Sequence, residues 1–211
     1  MKQLTLLSIL LMYFCGFSQE EFQEEEPKKE IQKSEKIKKV RPDHEFAFYL
    51  IKQNDFGDNF LSKAHTSKIG FGTYKNFINV YGFALGIDAE SVRYKITDPS
   101  LAGNIKWTQY LNFSGRLSYD YKLSDELTLV PYIKIGGTRL RQSSAGRNFG
   151  GISGTSYTVG INLNYNISQS AYFFTGLNYN YNSYNVNSNS EYQSFFDRSN
   201  QVQIYLGIGF F

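Results

Sequence analysis

The stretch VQIYLGIGFF at residues 202–211 has an apolar side chain at every even position and small or polar residues at most odd positions. Because successive side chains of a β-strand point to opposite faces, the even set forms one continuous apolar face. Such a face needs an apolar phase beside it, whereas the other face suits a packed or wet interior. The stretch is therefore predicted to be a strand of a membrane-spanning barrel.

The same alternation recurs in seven earlier segments, each about as long as the 9 to 11 residues that cross a hydrocarbon layer at a tilt. Lipid offers no partner to an open sheet edge, so the sheet must close. The pattern predicts an all-β fold for residues 43–211, an eight-stranded antiparallel up-and-down transmembrane β-barrel. The predicted strands lie near residues 45–52, 68–75, 79–95, 107–121, 127–139, 157–165, 173–182 and 202–211.

The lengths of the connections predict the topology. Short links are expected at residues 76–78, 123–126 and 167–170, and long ones at residues 53–67, 97–106, 142–153 and 183–199. Short turns on one side and long loops on the other are typical of outer-membrane barrels, and they place both termini in the periplasm. Aromatic residues are expected at both ends of the apolar bands, namely Trp107 and Tyr157 toward the loops and Tyr119, Tyr121 and Phe210 toward the turns.

A soluble lipocalin-like barrel is the alternative fold, with its apolar face inward and its polar face outward. Alternation alone does not distinguish the two, because both folds have one apolar and one polar face. The aromatic bands and the alternating connection lengths favour the membrane barrel.

Residues 1–18 have the features of a cleaved signal peptide. Lys2 precedes an apolar run, and the small residues Gly16 and Ser18 stand at the −3 and −1 positions of a cut before Gln19. The run is shorter than the roughly 20 residues that a spanning helix needs. Cleavage is therefore predicted rather than a membrane anchor.

Residues 19–42 differ in composition from the strands. They carry seven acidic and seven basic side chains in 24 positions, with the acids first, and they contain few residues that could be buried. Such a segment cannot build a core, and it is predicted to be a charged disordered periplasmic leader. The alternative is a tether that binds a periplasmic partner.

Charge and cysteine content exclude two classes of protein. The net charge is +3, and the basic residues are scattered, which argues against binding of nucleic acid. The single cysteine, Cys15, lies in the predicted signal peptide. The mature chain is therefore not expected to be a small fold held by disulfides.

The ordered set of segments resembles a known family. The hairpins YDYKLSDEL at residues 119–127 and LNYNIS at residues 163–168, together with GIGFF at residues 207–211, look like the small outer-membrane β-barrel domain family, similar to OmpA- and OmpX-type barrels. The resemblance implies a monomer in outer-membrane lipid with a structural or surface-interaction role. It also implies recognition by the barrel-insertion machinery through the strand ending in Phe211, although here Phe210 rather than Phe211 shares the parity of the upstream apolar residues.

Polar side chains at the inward parity form the candidate site. Buried charges persist only when they are paired and hydrogen-bonded, and a lumen of eight strands is narrow enough for side chains to fill it. A network of salt bridges that plugs the barrel is therefore predicted, and a narrow ion or small-solute channel is the alternative. The candidate residues are Glu45, Asp88, Glu90, Arg116, Asp120 and Lys134.

A catalytic alternative rests on His65 and Ser67. Their His-x-Ser spacing resembles that of an outer-membrane lipid A deacylase that is also an eight-stranded barrel, but Lys68 stands where that enzyme has asparagine, and no acidic partner is evident nearby. A nucleophilic serine needs a base that is itself held in position. A lipid-modifying enzyme is thus the third hypothesis, and no catalytic residue is predicted.

No cofactor or metal is predicted either. The two histidines, His44 and His65, are expected on opposite sides of the membrane, and no glycine-rich phosphate loop is present in the sequence. The fourth long connection is rich in Asn, Ser and aromatic residues. This composition suits either an adaptable recognition surface or a mobile polar loop.

Overall fold

The computed structural model describes residues 44–103, 105–144, 147–186 and 189–211, and for residues 147–149 and 190–192 it describes the backbone alone. The predicted signal peptide, residues 1–18, and the predicted leader, residues 19–42, lie outside the described residues. Within the described part of the chain, the helices are too short or too polar to cross a membrane.

The described residues form one closed antiparallel sheet. The strands are β1 Glu45–Phe56, β2 His65–Ser67, β3 Ile69–Val80, β4 Phe83–Ile96, β5 Trp107–Tyr119, β6 Tyr121–Lys122, β7 Leu127–Ser144, β8 Arg147–Asn166, β9 Ala171–Tyr184 and β10 Arg198–Phe210, and the helices are α1 Phe60–Ala64, α2 Pro99–Ala102 and α3 Ser190–Phe196. Eight long strands pair in the ring order β1, β3, β4, β5, β7, β8, β9, β10 and back to β1, while the short β2 pairs with β4 beside β3 and the short β6 pairs with β7 beside β5. The predicted eight-stranded barrel is confirmed.

The apolar face of each long strand points outward. In β10, Leu206 is 63% exposed, whereas the neighbouring Tyr205 is 4% exposed. The inward face is mostly polar and buried, so the polarity is the reverse of that in a water-soluble barrel, and the lipocalin-like alternative does not hold. Four of the five predicted band aromatics are exposed on the outer wall: Tyr119, Tyr121, Tyr157 and Phe210.

The first short link lies four residues beyond its predicted place. The prediction of a link at residues 76–78 is wrong because β3 continues to Val80 and the turn consists of Tyr81 and Gly82, with φ of 53° and 84°. Two consecutive positive φ values define the tight hairpin turn that matches the twist of its strands. A β-bulge within the predicted link adds a residue to β3, so Val80 faces outward instead of inward.

Gly82 gives a testable consequence of this turn. Replacing Gly82 with valine is expected to lower the free energy of unfolding by about 1–2 kcal/mol, because a β-branched residue is strained at positive φ. Urea unfolding of the protein folded into lipid vesicles measures the change. Gly115→Ala is the control, since its added Cβ meets only a carbonyl oxygen at 3.8 Å. An equal loss of unfolding free energy in Gly82→Val and Gly115→Ala would contradict the need for glycine in this turn.

The third long connection is a β-hairpin instead of a loop. The prediction of a loop at residues 142–153 is wrong because β7 extends to Ser144 and β8 begins at Arg147, which makes these strands 18 and 20 residues long. The sequence here lacks apolar alternation. Backbone hydrogen bonds hold the two strands together whatever their side chains, so pairing continues where the apolar alternation has ended.

The first and fourth connections meet at the loop end of the barrel. The ring of the buried Phe60 in α1 lies 5.2 Å from the ring of Phe196 and 6.4 Å from that of Phe195, both in α3. The His65 ring also lies 4.7 Å from the Phe60 ring. Phe195 and Phe196 of the fourth connection thus pack against the first connection.

Candidate functional site in the barrel lumen

All the predicted lumen residues are buried. They are distributed along the barrel axis instead of forming one group, because each strand contributes its inward residues at different heights. The six residues are Glu45, Asp88, Glu90, Arg116, Asp120 and Lys134.

Two of the six lie toward the turn end. Glu45 is the first residue of β1, and its carboxylate accepts hydrogen bonds from Asn76 Nδ2 at 2.6 Å and from the Tyr74 hydroxyl at 3.2 Å. Asp120 lies between β5 and β6 and accepts a 3.5 Å hydrogen bond from Asn79 Nδ2. Both carboxylates thus accept hydrogen bonds from neutral side chains toward the turn end.

The other four charges meet in the middle of the lumen, and we call them the charged cluster. Asp88 and Glu90 stand two residues apart on β4, so they share its inward face. The pairing of β5 with β7 sets Arg116 directly opposite Lys134. Like charges directly opposite are unfavourable, so the two cations depend on the two carboxylates of the neighbouring β4.

Lys134 lies between the two carboxylates of the cluster. Its Nζ is 3.0 Å from Asp88 Oδ1, and it also donates to the Glu90 carboxylate. Arg116 Nη1 is 3.9 Å from Asp88 Oδ2, a distance at which attraction between the charges dominates. The cluster is neutral in sum, with two cations and two anions.

Residues on two strands that do not pair with β4 complete the cluster. The Tyr49 hydroxyl on β1 lies 2.8 Å from Asp88 Oδ2 and 3.1 Å from Glu90 Oε1. Gln203 on β10 donates to Glu90 Oε2 at 3.2 Å. Because β1 and β10 are not neighbours of β4, these hydrogen bonds cross the lumen.

Arg116 is held by two aromatic rings. Its guanidinium carbon lies 4.2 Å from the centre of the Tyr74 ring and 4.1 Å from that of Tyr132, which is within the range of cation–π attraction. The Tyr132 and Tyr205 hydroxyl oxygens are 2.5 Å apart. Tyr74 also bonds Glu45, so it connects the cluster to the turn end.

These tyrosines were not among the residues predicted for the site. The alternation in the sequence nevertheless indicates their inward position, because their neighbours in the chain point outward. Tyr49 lies between Phe48 and Leu50, which are 52% and 59% exposed. A tyrosine at that parity needs a partner for its hydroxyl inside the lumen.

Toward the loop end, neutral amides replace the charges. Asn178 and Asn180 of β9 donate to Gln203 and Gln201 of β10 at 2.8 and 3.1 Å. Asn180 Nδ2 also donates to the Tyr110 hydroxyl at 2.9 Å. The amide pairs link the neighbouring strands β9 and β10, and the bond to Tyr110 of β5 crosses the lumen, while Asn178 Oδ1 has no hydrogen-bond partner among the described residues.

Inward aromatic residues lie over glycines of the neighbouring strand. An added Cβ at Gly209 would lie 2.0 Å from the Tyr172 ring, and one at Gly176 would lie 2.4 Å from the Tyr205 ring. Glycine in a strand often marks such a close approach. The directly opposite pairs are Tyr49 with Gly72, Tyr132 with Gly160, Tyr172 with Gly209, Phe174 with Gly207 and Tyr205 with Gly176.

His65 and Ser67 bond to other groups. His65 Nε2 is 2.9 Å from Thr108 Oγ1, and the Ser67 hydroxyl donates to the Gln53 carbonyl oxygen. Burial lowers the pKa of the His65 imidazole. The described geometry thus places the serine hydroxyl on a backbone acceptor, which is not the arrangement of an activated nucleophile.

No protein-family model and no curated protein sequence matches the chain. Solved structures do match it. The crystal structure of Neisserial surface protein A aligns with a TM-score of 0.59 at 12% identity, covering 80% of this chain and 97% of that one. The chain has the fold of the small outer-membrane β-barrels. At this identity the likeness establishes the fold alone.

Other structures with the small-barrel fold align with lower scores. The crystal structure of Ail, the attachment invasion locus protein of Yersinia pestis, gives a TM-score of 0.49 at 12% identity and covers 79% of this chain and 96% of its own. The solid-state NMR structure of the outer membrane protein AlkL in lipid bilayers gives 0.43 at 14% identity, with 90% and 96% covered.

Proposed function

We propose that the protein is a non-enzymatic, monomeric barrel of a bacterial outer membrane, with a structural or surface-interaction role and a lumen plugged by polar side chains. The charged cluster is the observation that carries this proposal. Asp88 and Lys134 at mid-lumen are 1% and 3% exposed, and hydrogen bonds from Tyr49 of β1 and Gln203 of β10 reach the cluster through the lumen. An eight-stranded barrel leaves little room beside such a cluster.

The exposed apolar wall supports the membrane location. A water-soluble protein rarely exposes a contiguous apolar surface of this extent, and in lipid the same surface is favourable. The turn side, which also holds the first residues of β1 and the last of β10, is proposed to face the periplasm, with the longer connections outside the cell.

Cell fractionation tests the location. We expect the protein in the outer-membrane fraction, migrating faster on a gel before boiling than after it, because a folded barrel resists detergent. Recovery in the soluble periplasm would overturn the location. A matched sample of the charged-cluster variant Arg116→Ala shows whether the faster migration depends on the folded lumen.

Conductance in planar bilayers tests the plugged lumen. We expect no conductance steps from the full-length protein, because the cluster occupies the lumen at its middle. Removing two crossing tyrosines, Tyr49→Ala with Tyr205→Ala, is expected to create steps and serves as the open control. Steps from the unmodified protein that change with Arg116→Ala or Lys134→Ala would favour the narrow channel instead.

Two partners complete the proposal. The barrel-insertion machinery is proposed to recognise β10, whose outward apolar residues end at Phe210, while Phe211 packs inward with its ring 5.0 Å from Tyr172. Residues 19–42 are proposed to reach a periplasmic partner, because such a charged leader would extend from the turn side.

A further inference from the structure

The outer wall becomes cationic at the loop ends of two strands that flank β5. Arg93 and Lys95 on β4 and Arg139 and Arg141 on β7 point outward and are exposed, and we call these four residues the basic sector. Between them lies β5. Toward the turns, the same outward faces are apolar, with Phe83, Leu85, Ile87, Phe113, Ile133 and Ile135.

Strand pairing brings the cations of the basic sector close together. Gln109 of β5 stands opposite Arg93 on one side and Arg141 on the other. Adjacent strands lie about 4.8 Å apart, so the two arginines start from backbones roughly 10 Å apart. None of the ion pairs among the described residues involves Arg93, Arg139 or Arg141. The sector therefore presents concentrated positive charge to its surroundings.

A groove runs along the wall from the basic sector toward the apolar band. It has a volume of about 560 Å³, and Arg139 and Gln109 border it. A smaller groove of about 260 Å³, lined in part by Lys68 and Arg93, adjoins it at Phe71 and Ser91. Short side chains create the main groove, whose apolar lining includes Phe71, Ala89, Leu111, Phe113 and Gly137.

A second groove on the outer wall differs in its charge. This groove of about 490 Å³, between β3, β1 and β10, has no charged residue among its described lining, which includes Phe48, Leu50, Leu206 and Ile208. Among the described side chains, Thr155 of β8 and Ser183 of β9 are neutral outward residues toward the loop end. The second groove suits an acyl chain alone. The first groove also has cations at its loop end, which suit an anionic group.

We propose that the basic sector and its groove bind a membrane lipid with an anionic phosphorylated headgroup. An acyl chain lies in the groove, and phosphate oxygens accept hydrogen bonds from Arg93, Arg139 and Arg141, whose planar guanidinium groups match phosphate geometry. Basic pockets at the edge of the hydrocarbon layer bind such headgroups. This inference rests on the proposed membrane location and does not depend on whether the lumen conducts.

Lipid titration tests the headgroup part of the inference. The full-length protein is folded in an uncharged detergent, and binding of dimyristoyl phosphatidylglycerol and of dimyristoyl phosphatidylcholine is measured by native mass spectrometry. We expect tighter binding of the anionic lipid. Arg139→Gln with Arg141→Gln is expected to weaken it about 25-fold, from roughly fivefold for each cation.

The matched control removes two cations from the turn side of the same wall. Lys75→Gln with Lys122→Gln changes the net charge equally and is expected to leave the affinity within about twofold, because Lys122 lies beside a short turn and Lys75 stands opposite Phe46 near the turn-side start of β1. Equal affinity for the two lipids, or equal losses in the two double variants, would overturn the inference. Every variant is also expected to migrate faster on a gel before boiling than after it. Variants that do so still form the barrel, so a change in their lipid binding does not come from unfolding.

A second variant tests the acyl chain. Gly137→Leu fills the groove and keeps every cation, and its added Cβ meets no atom within 4 Å. We expect weaker binding of phosphatidylglycerol and no change in binding of inorganic phosphate. Inorganic phosphate that binds as tightly as the lipid, or lipid binding unchanged by Gly137→Leu, would show that the site takes a free anion and would contradict the lipid.

Discussion

Replacing Lys134 with methionine is expected to lower the free energy of unfolding by about 3–5 kcal/mol, because two buried carboxylates lose their shared cation. Lys134 donates to both Asp88 and Glu90, and all three side chains are buried. The remaining cation, Arg116, lies 3.9 Å from Asp88 and cannot neutralise both acids. Urea unfolding of the full-length protein in lipid vesicles measures the loss.

A second substitution separates lost charge balance from lost packing. Lys134→Met with Glu90→Gln leaves Asp88 with Arg116 and its hydrogen bond from Tyr49, so we expect most of the lost stability to return. A double variant as unstable as Lys134→Met alone would show that the two residues do not interact energetically. The proposal that the charged cluster stabilises the barrel would then be wrong.

Replacing Gly176 with valine is expected to destabilise the barrel by about 3 kcal/mol, through overpacking of the lumen wall. Tyr205 lies directly opposite Gly176, and an added Cβ would stand 2.4 Å from its ring. The ring must move, which disrupts the contacts of its hydroxyl with Tyr132 and Asn162. Urea unfolding under the same conditions gives the magnitude.

Two further variants test whether overlap with the Tyr205 ring causes the loss of stability in Gly176→Val. Gly137→Ala adds a Cβ to an outward glycine with no atom within 4 Å and is expected to change stability by less than about 0.5 kcal/mol. Adding Tyr205→Ala to Gly176→Val removes the overlapping ring and is expected to offset part of the loss. If the double variant is as unstable as the two single losses combined, the aromatic residue and the glycine do not pack as paired partners.

Much of the barrel could be predicted from the sequence because membrane strands alternate strictly. The outward apolar residues of β10 and the inward position of Lys134 both follow from a period of two. The same rule missed the turn at Tyr81 and Gly82, since a bulge in β3 shifts the period by one residue. It also missed the extension of β7 and β8, where strand pairing continues beyond the apolar pattern.

Where a strand has no bulge, the sequence by itself determined which side chains face the lumen, because side-chain direction in a strand is a local property of the backbone. Only the tertiary structure decided which of them meet. Arg116 stands opposite Lys134 through the pairing of β5 with β7, and Gln203 of β10 reaches Glu90 because the pairing of β10 with β1 closes the sheet. Register and closure are properties of the whole ring, so the alternation within one strand cannot specify these contacts.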